Sequence, residues 1–404
     1  MTGRSFAGHS SWVTSVAFSP DGQFLASASV DHTVRIWDTA SSNGSTAQRH
    51  NGRVTSVAVS PDGTLIVSGS YNRSVSVWNA CTGHAMYPQL LGHEGVVLQV
   101  AISPDGRLIA SASEDCTVRL WDIQTGELYG EPMYGHRGWV NAVAFSPDAR
   151  WLVSGSRDTT VRVWEVGTRK MAIFGLLSCA RLVYAVTFSP DGRLFAAADA
   201  GGHVYFWLSG TNVQAHMPLR ANSEGIYSLI FSPDSTRAVT GGLDNVVRVW
   251  DVANGHQILV LSGHLNVVCS VGYAPDGQSI VSASDDKTVR LWDVQTGETV
   301  LVLSGHGDMI ESVTFTPNGQ SIVSGSSDST IHVWDVEAAL TLTSQAEYDP
   351  FAKLGCATLT NDGWLVGPSG ELLLWLPPRY RGHISLPPCS MIIGSHPVQL
   401  TIHD

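Results

Sequence analysis

Apolar and polar residues alternate along short stretches of this chain, and tight turns separate these stretches. The segment after Gly263 illustrates the pattern, with predicted strands at Val267–Tyr273, Ser279–Ser284, Thr288–Asp293 and Thr299–Leu303. The turn between the first two contains Pro275, Asp276 and Gly277. Proline presets the backbone of such a turn, aspartate accepts hydrogen bonds from nearby amides, and glycine tolerates a positive φ. The segment therefore predicts four short antiparallel strands.

This four-strand pattern repeats along the chain. The turn sequence SPDG occurs at residues 19–22, 60–63, 103–106 and 189–192, with variants at 146–149, 232–235, 274–277 and 316–319. Nine tryptophans mark the ends of the predicted third strands: Trp37, Trp78, Trp121, Trp164, Trp207, Trp250, Trp292, Trp334 and Trp375. All eight gaps between successive members are 41 to 43 residues long. A constant period of this length with four strands is typical of β-propeller blades.

Dipeptides at the ends of the units carry a family resemblance. Gly-His opens many units, and Trp-Asp closes five of them, as at Trp37-Asp38 and Trp292-Asp293. From residue 1 to about 376 the chain resembles the WD40 family, which implies an all-β, single closed propeller of four-stranded blades. Since nine units end in tryptophan, we expect nine blades, with eight as the alternative.

The two ends of the chain predict how the ring closes. Residues Thr2–Phe6 align with the fourth-strand position of other units, whereas the ninth unit offers only Lys353–Leu359, Trp364–Val366 and Glu371–Leu376. We therefore expect Thr2–Phe6 to complete the ninth blade, because a closed ring of sheets leaves no open edges. The propeller is predicted to span residues 1–376, and residues 377–404 to form a solvated tail without a metal site.

Five units share histidine, serine, aspartate and tryptophan at a constant spacing. In WD40 blades the corresponding residues form a buried hydrogen-bonded chain from the indole to serine, histidine and aspartate, so the resemblance implies the same here. A catalytic triad is the alternative interpretation, but an active site is needed once and not in five units. We therefore predict structural tetrads at His9, Ser27, Asp31, Trp37; His93, Ser111, Asp115, Trp121; His136, Ser154, Asp158, Trp164; His264, Ser282, Asp286, Trp292; and His306, Ser324, Asp328, Trp334.

The other four units depart from this set. The second has Asn72 in place of the aspartate, and the sixth has Asn222 and Thr240 in place of histidine and serine. The fifth, with Cys179, Ala197 and Gly201, loses the tetrad, as does the ninth, with Glu347, Leu365 and Ser369. We expect the fifth and ninth blades to open most readily.

Three columns of the repeat vary freely and predict a binding surface. They lie three and five residues after the histidine and one residue before the aspartate. In WD40 proteins these columns line the top face of the ring, where partners commonly dock. Aromatic residues and arginine dominate interface hot spots. The predicted partner-binding residues are Trp12, Arg53, Tyr71, Trp139, Arg157, Tyr184, Tyr227 and Met309. The alternative is that some of them only pack between neighbouring blades.

The amino-acid composition limits the kinds of partner and the cellular compartment that we expect. The net charge of −12, with only three lysines, disfavours nucleic acid and anionic membranes. Six cysteines without a paired CxxC spacing indicate free thiols in a reducing compartment, and the N-terminus has no apolar signal segment. We expect a soluble, cytoplasmic protein without cofactor or metal, either monomeric or part of a larger chain or complex.

These observations favour a non-enzymatic scaffold that binds a protein or peptide through its top face. A second hypothesis rests on residues 362–378, which look like the closing segment of WD40 regions in fungal NACHT-type signalling NTPases of the STAND or NOD-like class. The chain would then be a ligand-sensing C-terminal domain, and it contains no Walker A motif of its own. An enzyme with a central-channel site is disfavoured, because no carboxylate pair or histidine cluster stands outside the repeat.

Overall fold

The computed structural model describes residues 3–39, 45–211, 213–221, 224–340, 358–359, 364–366 and 372–375. The chain forms two compact units, Met1–Val336 and Glu337–Asp404. The described strands are numbered β1 to β33 along the chain and form nine antiparallel sheets. Among the described residues, no helix has the length and apolar character needed to cross a membrane.

The first unit contains eight of these sheets, one for each of the first eight repeats, and each sheet is called a blade. Blades one to four consist of β2 (Val13–Phe18), β3 (Phe24–Ser29), β4 (Thr33–Asp38) and β5 (Ser45–Arg49); β6 (Val54–Val59), β7 (Leu65–Ser70) and β8 (Val75–Asn79); β9 (Val97–Ile102), β10 (Leu108–Ser113) and β11 (Val118–Asp122); and β12 (Val140–Phe145), β13 (Trp151–Ser156), β14 (Thr160–Glu165) and β15 (Lys170–Ser178). In blades two and three, isolated bridges at Leu90, Ala85, Met133 and Leu128 pair with the third strand in place of a fourth.

The next four repeats continue the pattern. Blades five to eight consist of β16 (Val183–Phe188), β17 (Leu194–Asp199), β18 (His203–Leu208) and β19 (Leu219–Arg220); β20 (Ile226–Phe231), β21 (Arg237–Gly242), β22 (Val247–Asp251) and β23 (Gln257–Leu261); β24 (Val268–Tyr273), β25 (Ser279–Ser284), β26 (Thr288–Asp293) and β27 (Thr299–Ser304); and β28 (Ile310–Phe315), β29 (Ser321–Ser326), β30 (Thr330–Asp335) and β1 (Gly3–Ala7). The four strands predicted for the seventh repeat are thus observed as β24 to β27.

The core lies between successive blades. First strands bury their first and fourth residues, such as Val13 and Val16, while second strands are buried along almost their whole length. The first strand of each blade contacts the first strand of the next. Six of these junctions share one hydrogen bond, in which a side chain at the third strand position accepts from the next blade's backbone N–H. The acceptors are Ser15, Ser56, Gln99, Ser228, Ser270 and Ser312.

The ring closes between blade one and blade eight. The N–H of Val16 donates to Ser312 Oγ at 3.4 Å, and Val13, Val16, Val323 and Ile331 belong to one buried cluster. β1 pairs with β30 from Gly3↔Trp334 to Ala7↔Thr330 and supplies the outer strand of blade eight. Phe6 on β1 is buried, with its ring centroid 5.4 Å from that of Trp37 in blade one.

The expectation of nine blades is wrong, because the first unit closes with eight. The strand predicted at Thr2–Phe6 runs from Gly3 to Ala7 and completes the eighth blade, not the ninth. The ninth tryptophan, Trp375, lies in the second unit, which contains a three-stranded sheet. Its strands are β31 (Thr358–Leu359), β32 (Trp364–Val366) and β33 (Leu372–Trp375).

The domain boundary shifts accordingly. The chain divides into two units after Val336, whereas residue 376 is the end of the propeller predicted from the sequence. Tryptophan spacing reports how often the unit recurs, but which strand fills the outer position of the last blade depends on pairing between distant segments. Residues 377–404 and the ninth-unit positions Glu347 and Ser369 lie outside the described residues.

Candidate protein-interaction face

The structure brings the four side chains of each predicted tetrad into one hydrogen-bonded chain. In blade one, Trp37 Nε1 donates to Ser27 Oγ at 2.8 Å, Ser27 Oγ lies 2.7 Å from His9 Nε2, and His9 Nδ1 lies 2.8 Å from Asp31 Oδ2. The tetrads of blades three, four, seven and eight have the same three contacts, all between 2.7 and 3.0 Å.

The direction of these bonds fixes the protonation of the histidine. The ionised carboxylate of Asp31 can only accept, so His9 Nδ1 carries the hydrogen that faces it. Burial lowers the pKa of His9 and keeps the imidazole neutral, so its Nε2 accepts from the Ser27 hydroxyl, whose oxygen in turn accepts from the Trp37 indole N–H. Burial alone raises the pKa of Asp31, but hydrogen bonds from Thr33, the Ser10 amide and His9 outweigh it and lower this pKa to about 2.

The burial of the tetrads rules out nucleophilic catalysis by these serines. Ser27, Ser111 and Ser154 are each 0% exposed, and so are Ser282 and Ser324. Each hydroxyl already has both an indole donor and an imidazole partner. A substrate therefore has no access to the oxygen atom, and the tetrads act as internal supports that leave no polar group unpaired.

Blade two has an incomplete tetrad. Trp78 Nε1 donates to Ser68 Oγ at 2.7 Å, and His50 Nε2 lies 2.7 Å from the same oxygen. Among the described residues, no atom is placed to hydrogen-bond His50 Nδ1, and Asn72 Nδ2 instead donates to Gln89 Oε1 at 3.3 Å. Burial lowers the pKa of His50 to about 4, and the neighbouring Asn72 side chain offsets only part of that shift. The imidazole is therefore neutral, and its Nδ1 lacks the carboxylate partner of the complete tetrads.

Blade five has a different buried network in place of the missing tetrad, and this network is not among the features predicted from the sequence. Asp199 is fully buried, and its carboxylate accepts from the backbone N–H groups of Gly201, His203 and Arg181. Tyr205 donates its hydroxyl to Asp199 Oδ2 at 3.0 Å and accepts from the Ala180 N–H at 2.7 Å. The sequence contains a signal for this network. In the repeat, Asp199 occupies the position that Ser29 has in blade one, and Tyr205 occupies the position of Arg35.

Blade six retains part of the set. Trp250 Nε1 donates to Thr240 Oγ1 at 3.1 Å, while Asp244 pairs with Arg248 at 2.7 Å. The predicted histidine-column residue Asn222 lies outside the described residues.

A backbone hydrogen bond joins two of the predicted binding columns at the same end of every blade. The residue before the aspartate column donates its N–H to the carbonyl of the residue three after the histidine column. Examples are Tyr71 N–H to Arg53 O and Arg157 N–H to Trp139 O, both at 2.8 Å. We call this end of the ring the top face, defined by the three variable columns together with the adjoining histidine-side loops.

Two blades carry an arginine–aromatic pair at this hydrogen-bonded position, in opposite orders. In blade two, the Arg53 guanidinium carbon lies 5.7 Å from the centre of the Tyr71 ring. In blade four, the Arg157 carbon lies 3.9 Å from the centre of the Trp139 indole, which is cation–π distance. Tyr71 is 47% exposed and Trp139 37%, so both pairs are open to solvent.

The remaining predicted residues occupy the same face with different exposure. Trp12 in blade one is 48% exposed. Tyr184 and Tyr227, in blades five and six, have ring centroids 5.0 Å apart, which is contact between neighbouring blades, although Tyr227 is still 38% exposed. Met309 in blade eight is half-buried. Packing between blades, the alternative interpretation, thus applies in part to the two tyrosines.

Charge is distributed unevenly over the top face. Blades four and five expose Arg137, Arg157 and Arg181. Blade seven contributes Asp285, which accepts from Cys269 Sγ, and blade eight contributes Glu311, whose pKa is raised by burial. Arg137 and Arg181 are not among the predicted binding residues, because they lie one and two residues after the histidine column and therefore outside the three variable columns.

An eight-bladed ring with buried Trp–Ser–His–Asp tetrads and exposed aromatic residues at one end defines a repeat-built β-propeller. The chain belongs to the WD40 family (WD domain, G-beta repeat). The family matches eight segments, residues 2–38, 43–79, 86–122, 127–165, 177–207, 213–251, 255–293 and 297–335. These eight matches agree with the eight blades of the first unit.

Shorter matches link the chain to individual proteins. It is 58% identical over 41 residues to Vegetative incompatibility protein HET-E-1 of Podospora anserina, covering 10% of this chain and 3% of that protein. It is 49% identical over 43 residues to Nuclear distribution protein PAC1 of Arthroderma benhamiae, covering 11% and 9%. It is 51% identical over 41 residues to Apoptotic protease-activating factor 1 of Danio rerio, covering 10% and 3%. The chain thus matches only a small part of each relative.

A solved structure matches most of the propeller. The crystal structure of the computationally designed Ika8 protein superimposes with a TM-score of 0.74 at 27% sequence identity. The match covers 82% of this chain and 98% of the designed chain.

Proposed function

We propose that this propeller is a scaffold that binds a protein or peptide partner through its top face and performs no chemistry of its own. The exposed aromatic residues there carry the proposal. Trp12, Tyr71 and Tyr227 are 48%, 47% and 38% exposed, and Trp139 is 37% exposed. Large aromatic side chains left in water at one end of a rigid ring favour burial against a partner.

The backbone geometry that all blades share at these positions supports the same proposal. In every blade a backbone hydrogen bond holds two of these columns together, so little conformational freedom is lost when a partner binds. We further propose that the protein acts in the cytoplasm, where free thiols such as exposed Cys81 stay reduced.

Affinity capture from a native lysate of the source organism tests this proposal. We expect Trp139→Ala, combined with Trp12→Ala, to remove a captured protein, because truncating an interface hot spot weakens binding by about 2 kcal/mol or more. The matched control is Met217→Ala, since Met217 is 84% exposed but lies outside the top-face columns. Equal capture by the unmodified chain, the double variant and Met217→Ala, with unchanged thermal unfolding, would place the interface outside the top face.

The relatives support a second candidate, in which the propeller is the ligand-sensing part of a larger signalling protein. Two of the matched proteins are named for vegetative incompatibility and for apoptotic protease activation. The sequence of the transcript upstream of Met1 tests this candidate. An open reading frame that continues into a nucleotide-binding module would support it, whereas a stop codon in frame immediately upstream would contradict it.

A further inference from the structure

Arg157, at the blade-four end of the top face, is held in a fixed position. Its guanidinium lies 3.9 Å from the centre of the Trp139 ring, and its Nε donates to Asn141 Oδ1 at 3.4 Å. Asn141 is itself fixed, because its Nδ2 donates to the carbonyl oxygen of Val183 in blade five at 2.7 Å. The contact with the indole and these two hydrogen bonds order the Arg157 side chain in the free protein, which lowers the entropic cost of binding a partner.

Arg157 has no acidic partner among the described residues, although it is exposed. Other arginines of the chain do have one: Arg150 lies 3.7 Å from Glu165, and Arg248 lies 2.7 Å from Asp244. Among the described residues, Arg157 hydrogen-bonds through Nε alone, and its two terminal nitrogens have no hydrogen-bond or ion-pair partner. A planar guanidinium with a free edge matches the two oxygens of a carboxylate.

Two more exposed arginines lie at the same end of blades four and five. The backbone N–H of Arg137 donates to Asp158 Oδ2 at 2.8 Å, which fixes the main chain while its side chain is exposed. The stem of Arg181 lies against Gly201, which has no side chain in the position of the tetrad aspartate. Within the described residues, neither arginine has an ion pair.

This local positive charge contrasts with the rest of the chain. The protein carries a net charge of −12 with only 23 lysines and arginines, so three unpaired arginines at one end of two adjacent blades form a distinct electrostatic feature. Like charges placed together repel one another, and a partner of opposite sign relieves that repulsion. Blade three carries the acidic residues Glu94 and Glu114 at the same end. The positively charged surface therefore extends from blade four toward blade five and not toward blade three.

We propose that Arg157, stacked on Trp139 and flanked by Arg137 and Arg181, docks carboxylate side chains of an acidic segment of a protein partner. This inference rests on the proposed function and adds the chemistry of the partner to it. Arg157 binds one carboxylate through its free edge, Trp139 packs against the aliphatic part of that side chain, and the flanking arginines pair with adjacent acidic residues.

Binding of short labelled peptides to the full chain tests the inference by fluorescence anisotropy. The probes are hexaglutamate, hexaglutamine and hexalysine, each with the same fluorophore. We expect hexaglutamate to bind at least tenfold more tightly than the other two, against the net charge of the protein. We expect Arg157→Gln to weaken this binding about tenfold, which corresponds to the loss of a charge-assisted hydrogen bond.

Arg150→Gln is the matched control. Arg150 belongs to the same blade and also lies over an indole, with its guanidinium carbon 4.9 Å from the Trp151 ring centre. It comes directly before the start of β13 (Trp151–Ser156), whereas Arg157 follows the other end of that strand, at the top face. The substitution removes the same charge, so we expect hexaglutamate affinity to change less than twofold. Arg157→Lys keeps the charge but not the planar fork, and we expect it to restore only part of the affinity.

Several results would overturn the inference. Equal losses in Arg157→Gln and Arg150→Gln would mean that only overall charge matters. Tighter binding of hexalysine would assign recognition to the acidic side of the face, and binding of a phosphoserine hexapeptide without binding of hexaglutamate would exclude carboxylate docking. If hexaglutamate does not bind while the combined Trp12→Ala and Trp139→Ala variant still loses the captured partner, the acidic-segment inference fails and the proposed function stands.

Discussion

At the scale of single residues, Asn72 shows how one atom decides whether a buried network is complete. In the other tetrads, the second carboxylate oxygen accepts from the histidine and from the next backbone N–H, as Asp31 Oδ2 does from His9 and Ser10. Asn72 has an NH₂ group where that oxygen would lie, because its Oδ1 already accepts from Ser74 Oγ at 2.7 Å. The amide nitrogen cannot accept a hydrogen from His50 Nδ1, so the acceptor that completes the other tetrads is missing in blade two.

We expect Asn72→Asp to stabilise the protein by about 1 to 3 kcal/mol, since it supplies a charged acceptor for His50 Nδ1, which is buried without a hydrogen-bond partner among the described residues. Chemical denaturation at pH 7 measures this difference. The matched control is Asn318→Asp, which introduces the same charge in an exposed turn, where the Asn318 side chain hydrogen-bonds to Gln320. No gain over that control would mean that the histidine N–H is not the group that limits stability.

At the scale of the structural element, blade five differs from its neighbours in two ways. Its tetrad is replaced by the network around Asp199, and both of its junctions lack the shared inter-blade hydrogen bond. The third positions of the first strands in blades four and five hold Ala142 and Ala185, which have no side-chain acceptor. The stability of this blade therefore depends strongly on its own internal bonds, and our expectation that it opens readily stays a prediction.

Tyr205→Phe tests that dependence. Without the hydroxyl, Asp199 loses a donor and the Ala180 N–H loses its acceptor, so we expect a loss of about 1 to 3 kcal/mol in the free energy of unfolding. Hydrogen exchange should accelerate most in β16 to β18. Tyr134→Phe, at a position that is 68% exposed, is the control. Acceleration spread evenly over all blades would show that blade five does not open as a separate unit.

At the scale of the whole molecule, buried histidines make the ring sensitive to acid. Burial lowers the pKa of His50 to about 4, and burial together with His306 lowers the pKa of His332 to about 4, from an ordinary value of 6.5. Between these values the unfolded chain binds more protons than the folded ring. The stability that these two neutral histidines contribute is therefore fully present above pH 6.5 and is lost as the pH falls toward 4.

We expect the free energy of unfolding to fall steadily between pH 7 and pH 5, and His50 alone accounts for about 3 kcal/mol when the shift is complete. Urea unfolding at fixed ionic strength measures the slope. Asn72→Asp places a carboxylate beside His50, so that variant should lose less stability over the same range. A flat profile for the unmodified chain would contradict the expected protonation.

The sequence by itself determined the repeat, the four strands of each unit, the turns and the positions of the tetrads. These features are local, because a strand alternation or a turn residue acts within a few positions of the chain and recurs every 41 to 43 residues. Predicted strands such as Ser279–Ser284 and Thr288–Asp293 therefore match the observed ones. The variable columns, too, could be read by aligning the units with one another.

Only the tertiary structure decided the number of blades, the network of blade five and the pairing on the top face. The pairing of β1 with β30 joins segments more than three hundred residues apart, and no local pattern distinguishes it from pairing with the ninth unit. Asp199 and Tyr205 are meaningful only once folding places them beside the Ala180 amide. The stacking of Arg157 on Trp139 likewise depends on two loops that meet at one end of a blade. Each of these contacts joins separate segments of the chain, which is why the periodicity of the sequence did not reveal them.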